Sequence, residues 1–164
     1  MLSKSMEKAL NEQINKEMYS SYLYLAMAAY LSEQFLDGFA KFFQIQSQEE
    51  WGHAMRIYKH VNERGGRVIL EKIDKPQPEF KDIEEIFNLT LEHEQFITKS
   101  IHELVDLAAK DKDHATKNFL DWFVNEQVEE EANMENWVAK IKMAGSKGQA
   151  LFMLDSQAGK RGAN

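Results

Sequence analysis

Four glutamates in this chain stand where a helix normally buries leucine or phenylalanine. Glu17 belongs to the series Leu10, Glu17, Tyr24, Leu31, flanked by Ile14, Ser21 and Ala28, and members of such a heptad series drift only about 20° per step around a helix. A second stripe, Phe39, Phe43, Gln46, Glu50, His53, Ile57 and Val61, sets Glu50-x-x-His53 one turn apart and inward. The third reads Ile83, Phe87, Thr90, Glu94, Ile97, Ile101, Leu104, Ala108, and the fourth Phe119, Phe123, Gln127, Glu130, Met134, Trp137, Ile141. Each polar group is near the middle of its helix, so in an antiparallel bundle Glu17, Glu50, His53, Glu94, Gln127 and Glu130 fall at one level.

Ionised carboxylates buried together repel one another or are forced to hold protons. No set of inward Lys or Arg on these stripes neutralises them, whereas two divalent cations would cancel the four charges. One Glu from each of two helices with Glu-x-x-His from each of the others is the ligand pattern of carboxylate-bridged di-iron bundles. Three helices match it, and the fourth offers Gln127-x-x-Glu130. Oxygen donors with one imidazole favour iron or manganese over copper and make calcium or magnesium a poorer fit.

Other residues have two readings. Tyr24 either hydrogen-bonds a ligand or donates an electron, or is a core tyrosine with a satisfied hydroxyl. Trp122, one turn before Glu126, is open to electron transfer or plain packing. His60, His93, His102 and His114 fit no ligand pattern and read as surface or boundary groups. The acidic run from Glu126 to Glu131 reads as a solvated helix face, or as part of a third metal position made by Glu49, Glu126 and Glu129 beside Glu130.

The elements that must position these groups are helices. Apolar residues recur every three or four positions over 5–34, 38–64, 82–110 and 113–144. Ser3 or Ser5, Asp37 and Asp82 are the expected N-terminal caps of the first three helices, and Gly65-Gly66 and Gly145 are the stops after the second and fourth. Short links make helices one and two, and three and four, antiparallel hairpins. The link between helices two and three is long: Gly66 to Lys81, with Arg67-Val68-Ile69-Leu70 extended and Pro76 and Pro78 forbidding helix. Sixteen residues stretch to roughly 50 Å, more than the roughly 40 Å of a 27-residue helix. The link is therefore long enough for a crossover that leaves helices two and three parallel, as in ferritin-like bundles. After Gly145, the segment 149–154 is apolar but too short to be stable alone, so it packs on its own bundle or on a neighbouring subunit.

The expected architecture is all-α and single-domain over 1–164, with the bundle at 5–145, the crossover at 65–82 and a short C-terminal helix and tail at 146–164. The absence of cysteine excludes disulfides, thiolate nucleophiles, zinc-cysteine sites and iron-sulfur clusters. A net charge of −7 argues against nucleic acid and anionic membranes as partners. The longest apolar run, Tyr22 to Leu31, is half of what a spanning helix needs, and no basic segment leads into an apolar stretch at the N-terminus, so a cytoplasmic protein is expected.

With these residues in hand, the chain resembles the non-haem prokaryotic ferritins over nearly its whole length, from Leu10-Asn11-x-Gln13 through Tyr22-Leu23-Tyr24 to Glu126-Gln127-Val128-Glu129-Glu130-Glu131. The resemblance selects iron over manganese, which ligand chemistry does not separate. It implies Glu17, Glu50 and His53 at a first iron, Glu50, Glu94 and Glu130 at a second, Gln127 close by, and a third iron at Glu49, Glu126, Glu129 and Glu130. It further implies a ferroxidase that oxidises Fe(II) with dioxygen or hydrogen peroxide and mineralises the product for iron storage inside a homo-oligomer, a 24-subunit shell. The family's haem-binding branch has Met after the helix-two Glu and Glu-x-x-His on helix four. Trp51 and Gln127-x-x-Glu130 stand there instead, so no haem is expected. The C-terminal segment is similar to the fifth helix of the 24-subunit shells. Two alternatives stand beside this: a rubrerythrin-like di-iron oxidase without storage, weakened by the missing cysteines, and a structural helical oligomer with protonated inward acids.

Overall fold

The computed structural model describes residues 1–162, and residues 163 and 164 of the expected tail lie outside the described part. Five helices follow one another: α1 (Lys4–Glu33), α2 (Asp37–Glu63), α3 (Ile83–Lys110), α4 (His114–Ala144) and α5 (Gln149–Ala158). The starts of α1, α3 and α4 and the end of α4 have local causes. The Ser3 hydroxyl accepts from the Met6 N–H at 3.1 Å, Asp82 from Glu85 at 2.9 Å, and Asp113 from Thr116 at 3.1 Å, which satisfies amides that the first helical turn leaves without partners. Gly145 ends α4 at φ 76°, a left-handed conformation that favours glycine.

The expected cap of α2 is different. Leu36 is its N-cap and makes no side-chain cap bond, while Asp37 is already inside the first turn. The Phe39 N–H instead donates to Asp155 Oδ1 of α5 at 2.8 Å. A residue more than a hundred positions away thus does the capping, because α5 folds back onto the start of α2.

Cross-helix contacts establish the topology. Gln13 meets Ser100, Ser20 meets His93, and Met27 meets Thr90; residue numbers rise on α1 as they fall on α3, so the two are antiparallel. Phe39 packs on Trp137, Gln46 bonds Glu130, and His60 bonds Thr116, making α2 and α4 antiparallel as well. Since α1 is antiparallel to both α2 and α3, those two run parallel, joined by the long crossover. This link travels along α1: Asn11 accepts from the Ile69 N–H and donates to the Arg67 carbonyl, Asn15 donates to the Lys72 carbonyl, and the Tyr30 hydroxyl to the Phe80 carbonyl. Side chains of α1 thereby replace the backbone partners that a link without helix or strand lacks.

The interior divides into two apolar clusters. One holds Tyr24, Met27, Phe39, Phe43, Phe87, Met134 and Trp137, the other Leu10, Ile14, Ile57, Ile97, Ile101, Leu120 and Phe123. On every long helix the inward glutamate lies between a residue of one cluster and a residue of the other.

α5 packs on its own bundle through Leu151 and Ala158, both buried, while Phe152 and Met153 on its other side are exposed. Its close approach depends on Gly38, where a Cβ would lie 1.8 Å from the Asp155 carbonyl oxygen, a backbone atom. Gly38→Ala is therefore expected to undock α5 without unfolding the bundle. Limited proteolysis should cleave the 145–160 region of this variant at least about tenfold faster, the change expected when docking loses about 1.4 kcal/mol.

Candidate metal centre

Glu17, Glu50, His53, Glu94, Gln127 and Glu130 are all buried, none more than 6% exposed. Ligand atoms of Glu17, Glu50 and His53 lie within 4.8 Å of one another. His53 Nδ1 is 3.2 Å from Glu50 Oε2, and its ring meets Trp122 edge-on at 5.4 Å between centroids. Trp122, open to electron transfer or plain packing in the sequence, thus packs against the imidazole, with the Arg56 guanidinium 4.1 Å above its own ring.

Around this group is a shell of donors that each orient one carboxylate oxygen. Gln13 Nε2 donates to Glu17 Oε1 at 2.8 Å, and Gln46 Nε2 to Glu130 Oε2 at 2.8 Å. Glu94 receives the Tyr24 hydroxyl on Oε1 and Gln127 Nε2 on Oε2 at 3.1 Å. Tyr24 is thus bonded to a site carboxylate, where spacing had left two readings open. Gln13 entered the sequence reading only as part of a motif, although its spacing of four before Glu17 on one helix was the available signal. Two buried oxygens, Glu17 Oε2 and Glu50 Oε1, have no hydrogen-bond partner among the described residues. They belong to the two residues that flank His53.

The electrostatics follow from this crowding. Burial, then the neighbouring Glu50 charge, push Glu17 from 4.5 up to about 8, against the opposing Gln13 bond. Glu50 is driven well above its ordinary value by burial and by the charges of Glu94 and Glu130. Burial raises Glu94 too, opposed by the Tyr24 and Gln127 bonds. Burial and the Glu94 charge lift Glu130 to about 7. Without a cation, this centre holds protons.

The residues of the expected third position are arranged otherwise. Glu130 is buried, Glu126 half-buried, and Glu129 and Glu49 exposed. Glu49 pairs with Arg161 from the C-terminal tail, a residue the sequence reading did not consider. Of the other histidines, His60 corrects the expectation of a surface or boundary group: it is 7% exposed, stacked on Phe119 at 3.9 Å and bonded to Thr116 at 3.1 Å. His93 is half-buried and faces Ser20 at 2.7 Å, and burial lowers it to about 4.

The Ferritin-like domain family matches residues 7–144. The chain belongs to this family. Its members include the bacterial non-heme ferritin of Campylobacter jejuni, 46% identical over 155 residues that cover 94% of this chain and 93% of that one. The bacterial non-heme ferritin of Bacteroides fragilis is 45% identical over 161 residues, covering 98% and 100%. Among solved structures, a novel open pore ferritin from the hyperthermophilic archaeon Archaeoglobus fulgidus superposes with a TM-score of 0.97 at 46% identity, covering 98% of this chain and 99% of that one. The expected all-α ferritin fold is thus the observed one.

Proposed function

We propose that this ferritin-family chain is an iron-storing ferroxidase subunit, and the observation that carries the reading is the pair of partnerless buried oxygens on Glu17 and Glu50 beside His53. A buried carboxylate oxygen without a donor is costly, and a divalent cation removes that cost for several carboxylates at once. Glu17, Glu50 and His53 would take one ferrous ion and Glu50, Glu94 and Glu130 a second, with Glu50 shared. Two Fe(II) release two electrons, the number that takes one dioxygen to peroxide or one hydrogen peroxide to water. The protein's part is to hold two ions at one separation, to favour the ferric charge with four carboxylates, and to keep water out with an apolar cluster on either side.

Gln127 bridges Glu94 and Thr98, so it orients the ligand carboxylate, and Tyr24 does the same from the other side. Glu126 and Glu129 with Glu49 would supply the third position. Named relatives are non-heme ferritins, which supports iron without haem. Among the described residues no helix is long and apolar enough to cross a membrane; a cytoplasmic location is part of this reading. Exposed Tyr22, Leu25, Ile69 and Leu70 on the outer side of the bundle support assembly with further copies, and the 24-subunit shell is the assembly this reading expects.

The test is stepwise addition of ferrous iron in air to metal-free protein, followed by size separation and iron assay. Retained iron in large excess over three per chain, eluting with a shell, is the expected outcome. Uptake that stops at the paired site would make the protein a di-iron oxidase without storage.

A further inference from the structure

The C-terminal tail ends its described course against the metal centre. Beyond α5 the chain stays on α2: Lys41 Nζ donates to the Gly159 carbonyl at 2.9 Å, and a Cβ at Gly162 would sit 3.2 Å from Ile45 Cδ1. Between these anchors Arg161 turns inward. Its side chain is 22% exposed, with the guanidinium 4.5 Å from the Phe42 ring centroid. One arm, Nη1, donates to Gln46 Oε1 at 2.6 Å, and the other, Nη2, pairs with Glu49 Oε2.

Gln46 is fully buried and passes the contact on. Its carbonyl oxygen is held by Arg161, so its amide nitrogen must face Glu130, to which it donates at 2.8 Å. A fixed positive charge thus stands between an outer acid, Glu49, and an inner one, Glu130. Phe42 beneath the guanidinium gives it the flat apolar bed and cation–π contact that suit arginine more than lysine.

We propose that Arg161 is a tethered cation that competes with a metal ion for the outer carboxylate position, so that tail docking and ion binding at Glu49 exclude each other. The inference deepens the proposed function and rests on its third metal position, at Glu49, Glu126 and Glu129 beside Glu130. Glu49 Oε2 cannot be both the guanidinium's partner and an ion's ligand with the same geometry, and two cations held this close would repel. A docked tail is present at high effective concentration because it is covalently attached. An ion must displace it, which weakens apparent affinity by the fraction of chains in which the tail is undocked. The outer position would then fill only when free metal is plentiful, after the paired site.

Equilibrium dialysis of redox-inert Zn(II) against the assembled metal-free protein tests this. The first two ions per chain report on the paired site and the third on the outer one. Arg161→Gln is expected to tighten the third ion about tenfold, the effect of a tail docked in about nine chains of ten, while the first two ions still bind ahead of it. Arg161→Lys should fall between, and Lys160→Gln, which removes an exposed neighbouring charge, should match the wild type. Glu49→Gln in the Arg161→Gln background should lose the gain. If the third ion binds equally or more weakly in Arg161→Gln while the first two still bind ahead of it, the competition is overturned and the paired site stands. If the first two fail to bind in the wild type, the paired-metal reading falls and this inference with it.

Discussion

Glu50→Gln is expected to move activity and stability in opposite directions. Glu50 is the carboxylate shared between the two ions of the proposed site, and burial, then the charges of Glu94 and Glu130, raise its proton affinity. Glutamine has the same shape and no charge, so both ions lose their common ligand, and rapid ferrous oxidation should fall at least about a hundredfold, the upper end of what lost support to a metal site costs. The metal-free protein should meanwhile become more stable, since one of four crowded acids no longer needs a proton. Holding that proton costs up to about 1.4 kcal/mol for each pH unit above the ordinary carboxylate value, so near pH 7 the variant gains about 1–4 kcal/mol, or roughly 3–10 °C in thermal midpoint for a chain of this size. Stopped-flow oxidation and thermal scans of the metal-free variant check the two halves. A variant that is stabilised but still oxidises iron rapidly would favour a structural role for the inward acids.

The second large effect is on the metal-free protein's response to pH. Glu17 and Glu130 titrate at about 8 and about 7 in the fold, against 4.5 when exposed. Between these values the unfolded chain has released protons that the folded chain keeps. Folding therefore binds protons in this window, and raising the pH removes stability, which is fully present below about 4.5 and lost as pH passes 7 and 8. The thermal midpoint of metal-free protein should drop by on the order of 10 °C between pH 5.5 and 8, corresponding to a few kcal/mol. Zn(II) at a hundred times its dissociation constant should restore about 2.7 kcal/mol per site at pH 8, and restore least at pH 5.5, where protons hold the same oxygens. Asp113 does not oppose this trend. Burial raises it, but the Thr116 N–H and Arg64 outweigh that and hold it at about 2, so its contribution is lost only in strong acid. A midpoint independent of pH from 5.5 to 8 would show that the centre is not crowded by charge.

The same crowding explains how much of the site was legible beforehand. Glu17, Glu50, Glu94 and Glu130 were each detectable because a carboxylate interrupts an otherwise apolar helical stripe, and that conflict between period and chemistry needs no coordinates. The four helices, their hairpins and the room for a crossover followed from periodicity and link length in the same way. His60 was misplaced because periodicity does not predict a buried histidine whose partners, Thr116 and Phe119, come from another helix.

What the amino-acid order determined alone is the set of helices, the faces they bury and the acids those faces carry. These depend on contacts three or four residues apart, which any local stretch contains. The tertiary structure decided that Asp155 rather than Asp37 caps α2, that Tyr24 bonds Glu94, and that Arg161 reaches Glu49 and Gln46. Each of these joins residues at least 70 positions apart, and such pairs are set by how the helices pack, because a hydrogen bond depends on a few ångströms of distance that local periodicity does not encode.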